Sequence, residues 1–199
     1  MVSVYDLKTR FQALLRPLVL RLAGWGVTPN AITVLALILS LAVGIWLFLA
    51  PECRIVYFAY PVFLFVRMAL NAIDGMLARE FEGKTRLGAF LNEIGDILSD
   101  AALYLPLGFL PGASPALGSV FVVMAISTEF CGLIPQTQGM SRRYDGPMGK
   151  SDRALVVGVF FFVAGIWPGV LPAVNPILAV LGLLCAVTCF RRVEKALQE

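Results

Sequence analysis

Two short runs concentrate the residues that could handle a cation and a phosphate. The first is Asn71-Ala-Ile-Asp74-Gly75-Met-Leu-Ala78-Arg79. The second is Gly88-x3-Asn92-Glu93-x2-Asp96-x3-Asp100. The chain has no histidine, so the commonest general base and metal ligand is missing and carboxylates are left for proton transfer. Cys53, Cys131, Cys185 and Cys189 are scattered without a metal-binding spacing and suit packing in apolar helices. Oxygen donors with no imidazole or thiolate among them suit a hard divalent cation, Mg²⁺ or Mn²⁺. Gly75 and Gly88 leave out side-chain bulk where the phosphates of a ligand would have to approach.

These donors need helices to align them. Asn71, Asp74 and Ala78 recur at i, i+3 and i+7, hence on one helix face, with Gly75 beside them. Gly88, Asn92, Asp96 and Asp100 climb a second stripe at intervals of four. A helix pair joined by a short loop is expected to turn these stripes toward each other as antiparallel neighbours. Any one of the polar groups could snorkel or bond to a neighbouring helix. A set of this size in register on consecutive segments is not explained that way.

The surroundings are apolar. Hydrophobic residues make up 59% of the 199 positions, charged residues 15%, and mean hydropathy is +0.83. A soluble domain of this size cannot hide that much apolar surface. A soluble globule, a disordered tail and a nucleic-acid module are excluded, and the small net charge of +3 gives no reason to expect a nucleic-acid partner. The expected fold is an all-α integral membrane domain over residues 1–199. An amphipathic surface helix at 4–22, with Leu7, Phe11, Leu14, Leu15, Leu18 and Leu22 between basic residues, precedes six spans. These lie at about 31–50, 55–77, 87–110, 116–135, 154–170 and 176–190. All of the sixteen Lys and Arg except Arg54 and Arg67 fall in the N-terminal segment, the loops after spans two and four, and the tail. The positive-inside rule therefore places both termini and the two stripes on the cytosolic side. A charge at mid-bilayer costs about 2.5–3.5 kcal/mol on insertion scales, so Arg67 is expected to partner a buried carboxylate.

The spacing resembles the signature of the CDP-alcohol phosphotransferases, D-x2-D-G-x2-A-R-x8-G-x3-D-x3-D. Every interval is kept from Asn71 to Asp96. Thr28-Pro29-Asn30-Ala31-Ile32-Thr33 is similar to that family's helix-start motif, and Gly149-Lys150-Ser151 stands where the family has a Gly-Lys segment. Within the family the chain looks most like a group of small bacterial inner-membrane proteins. The resemblance implies transfer of a substituted phosphate from a CDP-linked lipid, usually CDP-diacylglycerol, to an alcohol, with release of CMP, in phospholipid biosynthesis. It implies nucleotide binding by Asn71, Asp74, Gly75, Ala78, Arg79 and Gly88, metal binding by Asn71, Asp74, Asn92 and Asp96, Asp96 as the base, and a homodimer. Two positions depart from the pattern. Asn71 and Asn92 replace aspartates, which removes two negative charges and favours one Mg²⁺ or Mn²⁺ over two. Glu93, Asp100 and Glu129 are candidates to compensate.

The polar loop 141–153 holds Lys150 and Arg153, expected to bind the acceptor, and Arg142 and Arg143, expected to act as topology anchors. Two other functions stay open: a nucleotide-binding pseudoenzyme or regulatory subunit with weakened metal binding, and a small cation transporter. The transporter is disfavoured because the acids gather at one membrane face. The acceptor alcohol is not named by these residues.

Overall fold

The structure is a computed structural model that describes residues 4–81 and 84–199, with side chains from residue 10 onward. The expected parts of Leu7 and Lys8 in the first helix lie outside the described side chains. Seven α-helices follow in order: α1 (Val4–Gly24), α2 (Pro29–Leu49), α3 (Arg54–Glu80), α4 (Arg86–Tyr104), α5 (Pro115–Thr137), α6 (Lys150–Ile166) and α7 (Val174–Leu197). Short 3₁₀ turns, Leu105–Phe109 and Pro168–Ala173, extend α4 and lead into α7. There is no strand among the described residues.

Local chemistry starts these helices. Thr28 accepts the Ala31 N–H at 3.2 Å, with Pro29 opening α2 behind it. Thr85 accepts the Gly88 N–H at 2.8 Å, and Asp152 accepts the Gly149 N–H at 2.9 Å at the start of α6. The capped start of α6 lies four residues before the expected span. Lys150 and Arg153 therefore stand on its first turn, where helical geometry fixes their direction.

The bundle is apolar outside as well as inside. Ile38, Ile45, Phe65, Phe90, Val123, Phe162, Leu183 and Phe190 are all exposed, as expected of a surface solvated by lipid. Four helical stretches are long and apolar enough to cross a bilayer on length and composition: Pro29–Leu49, Arg54–Glu80, Pro115–Thr137 and Pro168–Leu197. The chain is thus an all-α, multi-pass membrane protein. α4 and α6 are outside that set. α4 carries Glu93, Asp96 and Asp100, and α6 is 17 residues long and begins with charged residues.

The main core joins Tyr57, Tyr60 and Leu64 of α3, Leu103 and Tyr104 of α4, Phe121 of α5 and Phe161 of α6. It fills the end of the bundle where α3 begins and α4 finishes. A smaller cluster of Val19, Ile32, Ile73, Met76 and Leu77 anchors α1 at the opposite end, helped by an edge-on Phe11–Phe65 contact and an exposed Arg16–Glu80 pair at 2.9 Å. α1 keeps Leu14, Leu18 and Leu20 exposed, which suits an interfacial helix.

The expected direct packing of α3 on α4 is not met. α2 packs closely on both, whereas α3 and α4 meet mainly through side chains. The close approach of α2 to α4 depends on Gly44, where a Cβ would fall 2.8 Å from the Ala102 carbonyl carbon. What separates α3 from α4 is polar, and it forms the site.

Candidate functional site

α4 is divided lengthwise. Leu87, Phe90, Ile94 and Leu98 form an exposed apolar stripe, so Gly88, Asn92, Asp96 and Asp100 are directed inward. On α3, Asp74 is buried at 5% exposure. The two helices and the start of α2 enclose a cavity of about 450 Å³ lined by Asp74, Gly75, Ala78, Arg79, Gly88, Asn92 and Glu93, together with Asn30, Thr33 and Thr85. That volume suits a nucleotide-sized ligand.

Asp74 accepts the Thr33 hydroxyl at 3.0 Å and has no ion pair among the described residues. Thr33 is a site residue that the sequence analysis assigned to helix initiation alone. Its helical offset of three from Asn30 was the available signal, because it puts both on the face α2 turns toward Asp74 and Gly88. A Cβ on Gly88 would fall 2.7 Å from the Asn30 side-chain oxygen, and a Cβ on Gly75 would fall 3.1 Å from Arg79 Nη1. Gly75 therefore makes the room in which the Arg79 guanidinium lies over the cavity floor.

Asp96 stands beside this cavity, within electrostatic reach of Asp74. Its Oδ1 collects the surrounding donors: Asn71 Nδ2 at 3.4 Å, Arg67 at 3.8 Å, and the Lys150 ammonium in direct contact. Arg67 also donates to the Asp96 carbonyl at 3.2 Å. Asp96 Oδ2 has no hydrogen-bond partner among the described residues. Asn71, Asp74, Asp96 and Lys150, from α3, α4 and α6, thus meet in one place.

Beneath them lies a belt of alternating charge. Arg67 pairs with Asp100 at 2.7 Å, Asp100 with Arg153 at 2.8 Å, and Arg153 with Glu129 at 2.9 Å. Arg142 closes the belt by pairing with Glu93 and lying 3.8 Å from Glu129. This corrects two expectations. Arg153 does not face an acceptor pocket: it is fully buried and also donates to the Thr128 hydroxyl and the Met148 carbonyl. Glu93, Asp100 and Glu129 do not supply spare negative charge to a metal: Asp100 and Glu129 are paired with buried arginines and Glu93 with the half-buried Arg142. Arg67 does partner a buried carboxylate, Asp100.

The loop leading into α6 is tied down from three sides. Met148 N–H donates to the Thr188 hydroxyl at 2.9 Å, Arg192 donates to the Asp145 carbonyl at 3.1 Å, and Ser141 and Arg143 grip the Glu199 carboxylate. The Ser141 hydroxyl and N–H, with Arg143, hold that carboxyl below the usual glutamate range. Burial alone would lower the Arg142 guanidinium, but the hydrogen bond and charge of Glu93 outweigh it and raise it.

The family model for CDP-alcohol phosphatidyltransferases matches residues 26–188. The inner membrane protein YnbA of Escherichia coli (strain K12) is 45% identical over 196 residues, covering 98% of this chain and 97% of its own. The phosphatidylinositol phosphate synthase of Mycobacterium tuberculosis (strain ATCC 25618 / H37Rv) is 27% identical over 196 residues, covering 94% and 87%. Crystal structures of Mycobacterium tuberculosis phosphatidylinositol phosphate synthase share the fold. The complex with manganese and citrate superposes with a TM-score of 0.73 at 23% identity, covering 90% of this chain and 87% of that one. The form with CDP-DAG bound gives 0.73 at 23%, covering 90% and 92%. With the family model matching from the start of α2 into α7, this chain belongs to the CDP-alcohol phosphatidyltransferase family.

Proposed function

We propose that this protein transfers the phosphatidyl group of CDP-diacylglycerol, or a similar CDP-linked lipid, to an alcohol, releasing CMP. The observation that carries the reading is the convergence of Asp74, Gly75, Arg79, Gly88 and Asn92 on one cavity with the open Oδ2 of Asp96 beside it. The CDP group occupies the cavity, with its pyrophosphate over Gly75 against Arg79. The acceptor hydroxyl approaches Asp96, which takes its proton on Oδ2. The freed oxygen bonds to the lipid-side phosphorus as the bond from that phosphorus to the CMP oxygen breaks. Placement and charge neutralisation supply most of the rate in such transfers. Lys150, held at the same carboxylate, is the cation available to a phosphate-bearing acceptor.

The donor set fits one divalent ion. A buried carboxylate with no cation is costly, and among the described residues Asp74 has the Thr33 hydroxyl as its one side-chain hydrogen-bond partner. Asp74, the amide oxygens of Asn71 and Asn92, and Asp96 would hold Mg²⁺ or Mn²⁺. When bound, such an ion neutralises the pyrophosphate and makes CMP a better leaving group. We read the bundle as six crossings, with α4 and α6 completing the set, both termini cytosolic and the cavity opening on that side of a bacterial inner membrane. The basic loops support this orientation.

The test is CMP release by the purified chain from CDP-diacylglycerol with Mg²⁺ or Mn²⁺ and a panel of alcohols, among them glycerol phosphate, inositol phosphate, serine and a lipid alcohol. Release with one acceptor establishes the reaction. Binding of CDP-diacylglycerol without CMP release under any of these conditions replaces it with a non-catalytic nucleotide-binding subunit, a reading motivated by Asn71 and Asn92.

A further inference from the structure

We infer that Arg142 is a positioning residue for the transfer: through Glu93 it straps the polar loop 138–149 to the wall of the nucleotide cavity. The inference rests on the proposed reading of that cavity as the place of the CDP group. Glu93 lines the cavity. Both Nη atoms of Arg142 donate to its carboxylate, Nη1 in direct contact and Nη2 at 3.0 Å. A two-pronged pair of this kind fixes direction as well as charge. The guanidinium also lies over the Tyr144 ring, 5.4 Å from its centroid.

The residues on either side of Arg142 hold the opposite flank. The Ser141 hydroxyl donates to the Glu199 carboxylate at 2.8 Å, and Arg143 pairs with the same carboxylate. The Arg143 N–H donates to the Gly132 carbonyl at 3.0 Å. Thr188 and Arg192 of α7 hold Met148 and Asp145. Among the described residues, Arg142 alone carries a hydrogen bond or ion pair from this loop to α4. Three successive side chains thus alternate between Glu199 and the cavity wall, as they do along an extended backbone.

Glu93 puts a carboxylate in the wall of a cavity that takes a pyrophosphate, where like charge is unfavourable. Arg142 cancels that charge, so the pair supplies attachment and not attraction for the ligand. The loop runs directly into α6, and the attachment therefore sets the gap between the donor cavity and the acceptor side of the site. A closed gap keeps water from the lipid-side phosphorus. With the gap open, water takes the place of the alcohol. Its oxygen bonds to that phosphorus, the bond to the CMP oxygen breaks, its protons pass to solvent, and the products are phosphatidate and CMP.

The experiment uses the full chain in neutral-detergent micelles, and melting of each variant checks that it is folded. Hydrogen exchange of the 138–149 amides is followed by mass spectrometry with and without CDP-diacylglycerol and Mg²⁺. Exchange is expected to be about tenfold faster in Arg142→Met than in wild type, the loss of one charge-assisted tie. CDP-diacylglycerol is expected to slow it in wild type and not in that variant. Phosphatidate and the alcohol product are then counted side by side. Their ratio is expected to move about tenfold toward phosphatidate in Arg142→Met and in Glu93→Gln, and no further in the double variant, since the two side chains act as one unit. Arg142→Lys, which keeps the charge and one prong, is expected to stay near wild type. Arg142→Gln replaces the methionine variant should that one not fold. Unchanged exchange, an unchanged ratio, or additive losses in the double variant overturns the inference. The exchange needs no turnover. A faster loop in Arg142→Met with no CMP release by wild type leaves the strap standing while the transferase reading falls, and unchanged exchange with normal transfer does the reverse.

Discussion

At the residue scale, Asp96 and Gly75 make separable predictions. Asp96→Asn keeps the shape of the side chain but removes the proton acceptor. Turnover is expected to fall by about 10²–10⁴-fold, with CDP-diacylglycerol affinity changed by no more than a few fold. Full activity in that variant would remove Asp96 as the base. Gly75→Ala acts on binding instead. A methyl group 3.1 Å from Arg79 Nη1 must shift the guanidinium by a few tenths of an ångström at the cavity, although alanine is the better helix former by about 1 kcal/mol. KM for the CDP-lipid is expected to rise about tenfold, the equivalent of about 1.4 kcal/mol, with melting unchanged or slightly raised. A fall in melting temperature with unchanged KM would show that Gly75 serves packing and not the ligand. Both residues stood out in the sequence because the intervals from Asn71 to Asp96 are regular. Thr33 did not, since a threonine near a helix start is already explained by capping, and only packing of α2 between α3 and α4 brings its hydroxyl to Asp74.

At the scale of elements, the charged belt, buried at Arg67, Asp100 and Arg153, links α3, α4, α5, α6 and the loop before α6 through Arg67, Asp100, Arg153, Glu129, Arg142 and Glu93. Removing one member of a buried pair leaves its partner charged and alone, which costs about 3–5 kcal/mol. Arg153→Met should therefore lower stability by about that amount, read from thermal melting in detergent. Removing a balanced pair is a different matter: Arg153→Met combined with Glu129→Gln leaves Asp100 with Arg67 and Glu93 with Arg142, and should recover much of the loss. Failure of the double variant to improve on the single one would mean that Arg153 acts through shape and not charge. α4 illustrates how much an element's surroundings matter. Its charges keep it from qualifying as a membrane span by composition, yet its exposed stripe of Leu87, Phe90, Ile94 and Leu98 is apolar and its carboxylates all point inward to partners. Helical periodicity already separated these faces; the partners from α3, α6 and the loop could not be read from it.

For the molecule as a whole, the proposed orientation is open to direct test. In a variant with Cys53, Cys131, Cys185 and Cys189 replaced by serine or alanine, a cysteine at Glu52 should react with a membrane-impermeant maleimide applied to the outer face of spheroplasts. A cysteine at Lys84 or at Arg191 should react only after the membrane is opened. Labelling of Lys84→Cys in sealed spheroplasts would reverse the topology and put the cavity on the far side of the membrane from the CDP-lipid's cytosolic headgroup. The large apolar core, built from Tyr57, Tyr60, Leu103, Tyr104, Phe121 and Phe161, occupies the end of the bundle away from Asp74 and Asp96. One end of the bundle thus supplies packing while the other spends its side chains on charge.

Composition and spacing alone determined that this is a helical membrane protein, which helix faces are polar, and which family signature they carry, because hydropathy and a period of 3.6 residues are properties of a segment taken by itself. Tertiary structure decided which charges are spent and which are available. Arg153 looked like a ligand for an acceptor and is a buried partner of Asp100 and Glu129. Lys150 looked equivalent to it and reaches Asp96. Two cations three residues apart on one helix turn meet different partners because α3, α4 and α5 present different carboxylates to them, and a contact between segments remote in sequence exists only once the helices have packed.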